Sequence, residues 1–396
     1  MRKVFIAGFD GYLGWALAQY LAAKGFTVTG LDDCRRRDIW VPSCGSDSAI
    51  PIAPLKDRIE AFRDQYGDHQ FSGVKMAGFP SEGYGNVARY DLLCRIFEDF
   101  QPDTIVNLAQ VASAPYSMKD FEHANSTYIN NIGTTMSVLW AVKDTCPHVP
   151  IITIGTAGEY GTPGIKITEG DIKIELDGRS AELPFPKTPA SLYHASKGAS
   201  TIIYERPCAW WNLAATDVMQ GVVYGAKHEH MTDRPEMATR MDIDAVWGTA
   251  INRFVAQAII GHSITVYGAG TQLRGFLPLR DSMRCLQLLI ENPPEPGKVR
   301  IVNQYDQIYS INELAHAVEE VAKEYSIGVY IEHITNPRWE IEKHFYEMER
   351  KKLVQLGYQP KGDLHTELYE MFKALLPHKE RLENYRAVIN PAVAWD

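Results

Sequence analysis

Lys3-Val4-Phe5-Ile6-Ala7-Gly8-Phe9-Asp10-Gly11-Tyr12-Leu13-Gly14 is an apolar, strand-like run that breaks into three glycines and passes directly into a helical pattern, Tyr12–Lys24. Glycines at such a junction permit a tight turn, close backbone approach to a pyrophosphate, and tight packing of helix on strand. The helix N-terminus then presents its free N–H groups to the phosphates. The spacing is one residue longer than the Gly-x-Gly-x-x-Gly dinucleotide fingerprint, and a glycine trio alone is weak. Here the context supports it: the next strand, Thr27–Leu31, closes on Asp32, where a ribose-binding carboxylate belongs. A carboxylate at that place repels the 2′-phosphate of NADP, so NAD is the expected cofactor. Arg36 and Arg37, just beyond, pull the other way, because arginines there can accept such a phosphate.

Moving outward, further buried parallel strands are expected at Thr104–Leu108, Ile151–Ile154 and Ala214–Val218. Helical patterns lie between them at Asp91–Phe100, Asn130–Lys143 and Ser191–Trp210. This alternation predicts an α/β fold, a Rossmann-type doubly wound parallel sheet. A short helix, Leu55–Tyr66, and a Gly/Pro/Ser-rich inserted loop over 76–86 interrupt the rhythm. Past residue 220 the elements shorten: strands at Ile264–Tyr267, Arg300–Asn303 and Val329–Ile334, helices at Asp244–Ile260 and Ile311–Tyr325. A smaller C-terminal α/β substrate domain is expected there. The NAD-binding domain is placed at 1–217 with contributions from 244–268 and 299–304, and the nucleotide-sugar-binding domain at 218–243 and 269–396.

The bulk numbers set limits. The 396 residues are 45% hydrophobic and 22% charged, ordinary for a soluble globular chain. The net charge of −9 argues against a general electrostatic grip on nucleic acid or an anionic membrane. No window approaches the roughly 18 apolar residues of a membrane span, and Val4–Ala7 runs into Gly8 with no signal-peptide h-region. A cytoplasmic protein is expected. The six cysteines are scattered without metal-ligand spacing, so reduced thiols and no structural metal are expected.

Tyr193-x-x-x-Lys197 sets a phenol and an ammonium one turn apart on a helix face. There the cation can depress the phenol pKa, so that tyrosinate serves as a base. Tyr20 and Lys24 show the same spacing, but they close the first helix, away from the strand C-termini where doubly wound sheets bind ligands. Tyr193 and Lys197 instead open a helix whose preceding strand ends in Gly155-Thr156-Ala-Gly-Glu-Tyr160-Gly161, bringing the Thr156 hydroxyl to the same place.

With this set on the page, the chain resembles the extended short-chain dehydrogenase/reductase family of NAD-dependent nucleotide-sugar epimerases and dehydratases. The resemblance implies that Tyr193 takes the sugar 4-OH proton while hydride leaves C4 for NAD. Lys197 would hold the nicotinamide ribose, and Thr156 would hydrogen-bond the same oxygen. Ser113-Ala-Pro-Tyr-Ser-Met118, Gly158-Glu-Tyr-Gly-Thr-Pro163, Tyr193-His194, Gln220-Gly-Val-Val-Tyr-Gly225, Arg274-Gly-Phe and Asn336-Pro-Arg338 resemble its sulfoquinovose-synthase branch. That branch implies UDP-glucose as substrate, 5,6-elimination after oxidation at C4, and addition of a nucleophile such as sulfite at C6 before re-reduction. It also assigns Gln220, Arg274 and Arg338 to the UDP diphosphate. Tyr12, Leu13, Asn86, Val87, Ala109 and Gln110 join Gly8, Gly11, Gly14, Asp32, Arg36, Arg37, Tyr193 and Lys197 at the cofactor.

Departures bear on the C6 step. Dehydratases follow the threonine with Asp-Glu; here Ala157-Gly158 stands there, and Glu159 falls one position late in the strand, on the other face. His194 is the candidate for C5/C6 proton work, against the plain reading of a histidine in a structural hydrogen bond. Branch members carry Glu-Gln-Arg before the Ser-Ala-Pro motif; Gln110-Val111-Ala112 removes a cation that an anion such as sulfite would meet. A UDP-sugar 4-epimerase, or a 5,6-dehydratase without sulfite addition, is therefore the alternative, and a non-catalytic NAD-binding protein the remote one. The family also implies a homodimer through the helix bearing Tyr193 and its neighbour.

Overall fold

The computed structural model describes residues 2–67, 86–338 and 345–389. The chain runs β1 (Lys3–Ala7), α1 (Tyr12–Ala23), β2 (Thr27–Leu31), α2 (Leu55–Tyr66), α3 (Tyr90–Phe100), β3 (Thr104–Asn107), α4 (Ala114–Ser117), α5 (Phe121–Thr145) and β4 (Ile151–Ile154). A hairpin of β5 (Asp171–Leu176) and β6 (Arg179–Pro184) precedes α6 (Leu192–Trp211) and β7 (Ala215–Gln220). Then come β8 (Val222–Tyr224), α7 (Ala250–Ile259), β9 (Ile264–Tyr267), β10 (Leu273–Pro278), α8 (Leu279–Glu291) and β11 (Val299–Gln304). β12 (Gln307–Ser310), α9 (Ile311–Glu324), β13 (Ile331–Ile334), α10 (Lys351–Gln355) and α11 (Leu364–Leu375) follow.

The main sheet has the order β11-β7-β4-β3-β1-β2, every pair parallel. Strands of this kind need apolar residues on both faces, and Val4, Phe5, Ile6, Ile105, Val106, Ile151 and Ile152 are all buried. Trp15 and Leu17 of α1 and Met283 and Leu286 of α8 belong to a core that includes Val4, Ile6 and Val106. Leu93 and Phe97 of α3, Leu139 of α5 and Tyr204 of α6 belong to one that includes Phe5 and Ile105. The strand order reverses between β1 and β3, which opens a crevice at the strand C-termini. Gly8, Asp32, Leu108 and Gly155 each follow a strand into that crevice.

The smaller unit has a core of its own, gathering Phe254, Leu314, Val318, Met371 and Phe372 from α7, α9 and α11. It corrects part of the expected division. β9 pairs with β13 rather than with the main sheet, and α7 packs against α9, so 244–268 joins the smaller unit. Conversely, α8, from the stretch assigned to that unit, packs on α1. β11 does complete the main sheet, as expected for 299–304.

Other expected boundaries also move. Asp244–Ile260 is helical only from Ala250, because the Asp244 carboxylate accepts the backbone N–H groups of Val246 and Trp247 in a turn, and Thr249 caps the helix that follows. α5 begins at Phe121, well before Asn130, with Asp120 as its cap. Apart from Asn86, the expected loop over 76–86 lies outside the described residues. Among the described residues no helix is long and apolar enough to cross a membrane.

Candidate active site

The glycine turn forms as its spacing requires. Gly8 has φ +78°, and a Cβ there would lie 2.7 Å from the Ala109 nitrogen; one at Gly14 would lie 2.2 Å from the Gly8 oxygen. Bare backbone therefore lines a cleft whose walls include Gly8, Gly11, Asp32, Asn86, Ala109 and Gln110. α1 has no side-chain cap and no acidic residue in its first turn, leaving its N–H groups for an anion. These residues fit a dinucleotide: a cradle that any side chain would fill, a helix N-terminus, and a carboxylate at the end of β2. Val87 and the two expected arginines line the same cleft. Tyr12 and Leu13 face inward instead: the Tyr12 hydroxyl donates to the Gly225 carbonyl at 2.7 Å, and Leu13 packs on the first core. The Asn86 Oδ1 accepts from the Ala88 N–H at 2.7 Å.

Asp10, inside this turn, puts a carboxylate where an anionic ligand belongs, and the fold compensates with two guanidinium groups. Arg37 reaches its oxygens at 2.8 and 2.6 Å, and the fully buried Arg58 of α2 bonds the same carboxylate while lying 4.0 Å from the centre of the Trp15 ring. Arg36 is committed to Asp242 at 2.6 Å and stacks on Trp247. With both arginines held by carboxylates, the conflict between Asp32 and the arginines falls in favour of NAD. Sequence reasoning passed over Asp10 and Arg58; the available signal was an acidic residue in a phosphate-facing turn, which demands a cation.

Beyond Gln110, the Thr156 hydroxyl stands close enough to Tyr193 to favour its phenolate. The Ser-Ala-Pro-Tyr-Ser motif supports this region: Ser117 accepts the Tyr193 N–H at 2.9 Å, and Ser113 caps α4 while donating to the Val246 carbonyl at 2.6 Å. Lys197 departs from expectation. Its ammonium donates to the Ile154 carbonyl at 2.6 Å and to Gln110 Oε1, and its Nζ stands 5.8 Å from the Tyr193 ring centre. Burial raises the Tyr193 phenol above its ordinary value and Glu159 adds to the rise; the Thr156 hydrogen bond and the Arg36 charge oppose it. Burial also lowers Lys197 to about 8. Asn131, absent from the sequence reasoning, anchors the strip that carries Gln110: it accepts from the Val111 N–H at 2.7 Å and donates to Ser196 at 2.9 Å.

His194 holds Ser191 Oγ at 3.0 Å through Nδ1. Its Nε2 lies where a side chain at Gly158 would begin, 2.2 Å from an ideal Cβ at that glycine. The imidazole thus takes the space of the residue that dehydratases place there. Burial, with Arg274, Arg338 and Lys197 nearby, lowers it to about 3, so it is neutral at physiological pH. Arg274 and Arg338 thus lie near enough to His194 for their charges to act on it. Gln220 does not join them: its amide donates to Gln304 at 2.7 Å and to Ser282 at 3.3 Å. Val111 is buried in an apolar cluster with Tyr116 and Trp247, and Ala157 in one with Met219 and Tyr346.

Glu159 is not in a strand. It closes a 3-10 turn (Ala157–Glu159) as a capping box, accepting the Thr156 N–H at 3.0 Å, and its carboxylate is wholly buried. The rival pair is structural: Tyr20 is buried against His228 and His230.

Residues 4–303 match the model of the NAD dependent epimerase/dehydratase family. The chain is 39% identical over 395 residues to the UDP-sulfoquinovose synthase of Sulfolobus acidocaldarius, covering 99% of this chain and 97% of that one. It is 37% identical over 394 residues to the chloroplastic UDP-sulfoquinovose synthase of Spinacia oleracea, covering 100% of this chain and 79% of that one. Among solved structures, the UDP-glucuronic acid 4-epimerase of Bacillus cereus, in complex with UDP-glucuronic acid and NAD, superposes with a TM-score of 0.66 at 18% identity. That alignment covers 96% of this chain and 99% of the epimerase.

Proposed function

The chain belongs to the NAD-dependent epimerase/dehydratase family, and from that premise we propose that it makes UDP-sulfoquinovose from UDP-glucose and sulfite. The observation that carries the reading is His194, standing over Gly158 beside the Thr156–Tyr193 pair. Bound NAD supplies an acceptor for the C4 hydride and returns that hydride at the end of the cycle. Gly8, Gly11, Gly14 and Asp32 would hold the dinucleotide, and Lys197, with two of its three N–H groups on Gln110 and Ile154, would offer the third to the nicotinamide ribose. Tyr193 takes the 4-hydroxyl proton, with Thr156 and Arg36 favouring the phenolate.

The C4 carbonyl so formed acidifies the C5 proton. His194, neutral above about pH 3, accepts that proton and delivers one to the departing 6-hydroxyl, releasing water and leaving a 4-keto-5,6-ene. Sulfite sulfur bonds to C6, C5 regains a proton brought in by bisulfite or water, and Tyr193 returns its proton to O4 as C4 is reduced. Arg274 and Arg338 neutralise the UDP diphosphate. A 5,6-dehydratase that releases the unsaturated sugar is the second reading, favoured by Ala112 in the place where the synthases carry an arginine.

The test incubates purified protein with UDP-glucose, with and without sulfite, and reads products by mass spectrometry. Sulfite-dependent mass gain supports the synthase; loss of water alone supports the dehydratase; an isobaric product distinguished by NMR supports a 4-epimerase. No turnover of UDP-glucose, UDP-glucuronate or UDP-N-acetylglucosamine would sink all of these.

Two further readings belong here. A homodimer through α5 and α6 is in keeping with the exposure of Phe121, Ile129 and Trp140 on one helix and of Ile202 and Trp210 on the other. Sedimentation of an Ile129→Glu/Ile202→Glu variant as a monomer, against a dimeric parent, tests it. A cytoplasmic location is in keeping with six free thiols.

A further inference from the structure

Behind the Tyr193–Lys197 pair lies a buried polar group that the proposed reaction leaves unused. Glu159 and Asp217 both reach the hydroxyl of Thr201, with Glu159 Oε2 at 3.2 Å and Asp217 Oδ2 at 2.5 Å. Lys187 donates to Glu159 Oε2 at 2.6 Å. The Thr201 hydroxyl also stands 3.4 Å from the Lys197 carbonyl. Only a glycine at 155 permits this closeness: a Cβ there would lie 2.7 Å from Glu159 Oε1 and 2.8 Å from Asp217 Oδ1. Both carboxylates and Thr201 are essentially inaccessible, while Lys187 keeps 17% of its side chain exposed.

A hydroxyl has one proton and can donate to one oxygen. Two carboxylates at the same hydroxyl are both satisfied only when one of them brings a proton of its own. Like charges buried this close do not both ionise. Lys187 contacts Glu159, so the ionised member is Glu159 and the proton falls to Asp217. Asp217 then donates to Thr201, and Thr201 to Glu159.

We propose that Glu159, Thr201 and Asp217 form a one-proton relay behind the active site, balanced by Lys187, which fixes the charge felt by Tyr193 and Lys197. Glu159 and Asp217 are positioning residues: through its cap on the Thr156 N–H, Glu159 holds the threonine that stands beside Tyr193. Burial raises both carboxyls, and Lys187 opposes the rise at each. The other groups acting on the relay are Lys197 and Glu205 of α6, with the phenols of Tyr160, Tyr193 and Tyr204 around it. A second ionised carboxylate would raise the proton affinity of Lys197 and Tyr193; holding one proton on Asp217 prevents that.

The consequence for catalysis rests on the proposed reaction, but the relay is readable without turnover. Infrared spectra of the full chain at neutral pH should contain a protonated-carboxyl C=O band that Asp217→Asn removes. Glu159→Gln should remove it too, because Asp217 then ionises against Lys187. Lys187→Met should enlarge it. No band lost in Asp217→Asn, or a band persisting in Glu159→Gln, overturns the relay. In the pH profile of kcat/KM, Glu159→Gln/Asp217→Asn should move the acid limb to lower pH by about one unit, by loss of a negative charge beside the base. An unmoved limb in the folded double variant overturns the link to Tyr193. Failure of UDP-glucose turnover would refute the reaction and leave the infrared arm to decide the relay.

Discussion

Gly158→Ala is the sharpest perturbation of the acid/base assignment. Gly158 has no positive φ, so alanine meets no backbone strain; the atoms nearest its Cβ all belong to the imidazole of His194, at 2.2 Å from Nε2, 2.4 Å from Cδ2 and 2.8 Å from Cε1. To restore ordinary contact at 3.4 Å or more, the ring must retreat by about 1.2 Å, and a misplacement of roughly 1 Å costs on the order of 100-fold in rate. That corresponds to about 2.7 kcal/mol in the barrier. Swinging the ring also strains the 3.0 Å contact with Ser191. We therefore expect kcat to fall about 100-fold with NAD affinity intact, measured by mass-spectrometric turnover of UDP-glucose with sulfite. The decisive comparison is a double-mutant cycle. In a His194→Ala background the obstacle is gone, so adding Gly158→Ala should change kcat by less than about twofold. Wild-type turnover in Gly158→Ala, or additivity of the two substitutions, would refute the assignment of His194 to the C5/C6 protons.

Other outcomes follow from the same geometry. Tyr193→Phe should abolish turnover while leaving NAD bound, read by equilibrium dialysis; retained activity would remove the phenol as base. His194, held at about 3 against about 6.5 in the unfolded chain, makes the unfolded state bind an extra proton between those values. Its contribution is thus fully present above about pH 6.5 and is lost as pH falls, so His194→Gln should flatten the decline of Tm from pH 7 to 5. Arg58→Met leaves Asp10 with one of its two guanidinium partners in a buried site and should cost about 3 kcal/mol in urea unfolding. It should also weaken NAD binding, since Asp10 anchors the glycine turn. With Arg36 and Arg37 engaged by Asp242 and Asp10, NADP should bind at least about tenfold more weakly than NAD in isothermal titration.

The sequence was most legible where one local rule dominates. β1, β2 and α2 fall on their expected bounds, because apolar runs and an amphipathic pattern leave little competition. The helix over 244–249 failed because the Asp244 side chain bonds the backbone in a turn, a choice that composition does not reveal. The first two turns and more of α5, ahead of Asn130, were missed because Phe121 and Ile129 are exposed there, so its periodicity does not mark a core face. At the site, residues identified by motif fall where strand ends and a helix start must bring them. What stayed hidden was long-range: Arg58 reaching Asp10, Asn131 anchoring Val111, and Glu159 pairing with Lys187 each depend on how distant segments pack.

The sixth strand of the main sheet has a consequence for biosynthesis. β11 lies beyond β8 to β10 and α8, so its partner β7 waits for roughly 80 further residues to leave the ribosome before that edge is closed. At a few to twenty residues per second, this is a delay of several seconds with one edge of an otherwise buried strand unpaired. A fragment ending after β7 would carry Gly8, Gly11 and Gly14 and the Tyr193–Lys197 couple, yet it should aggregate rather than bind dinucleotide. The two cores are thus obliged to mature together, and truncation at the boundary between them is a poor route to an isolated cofactor domain.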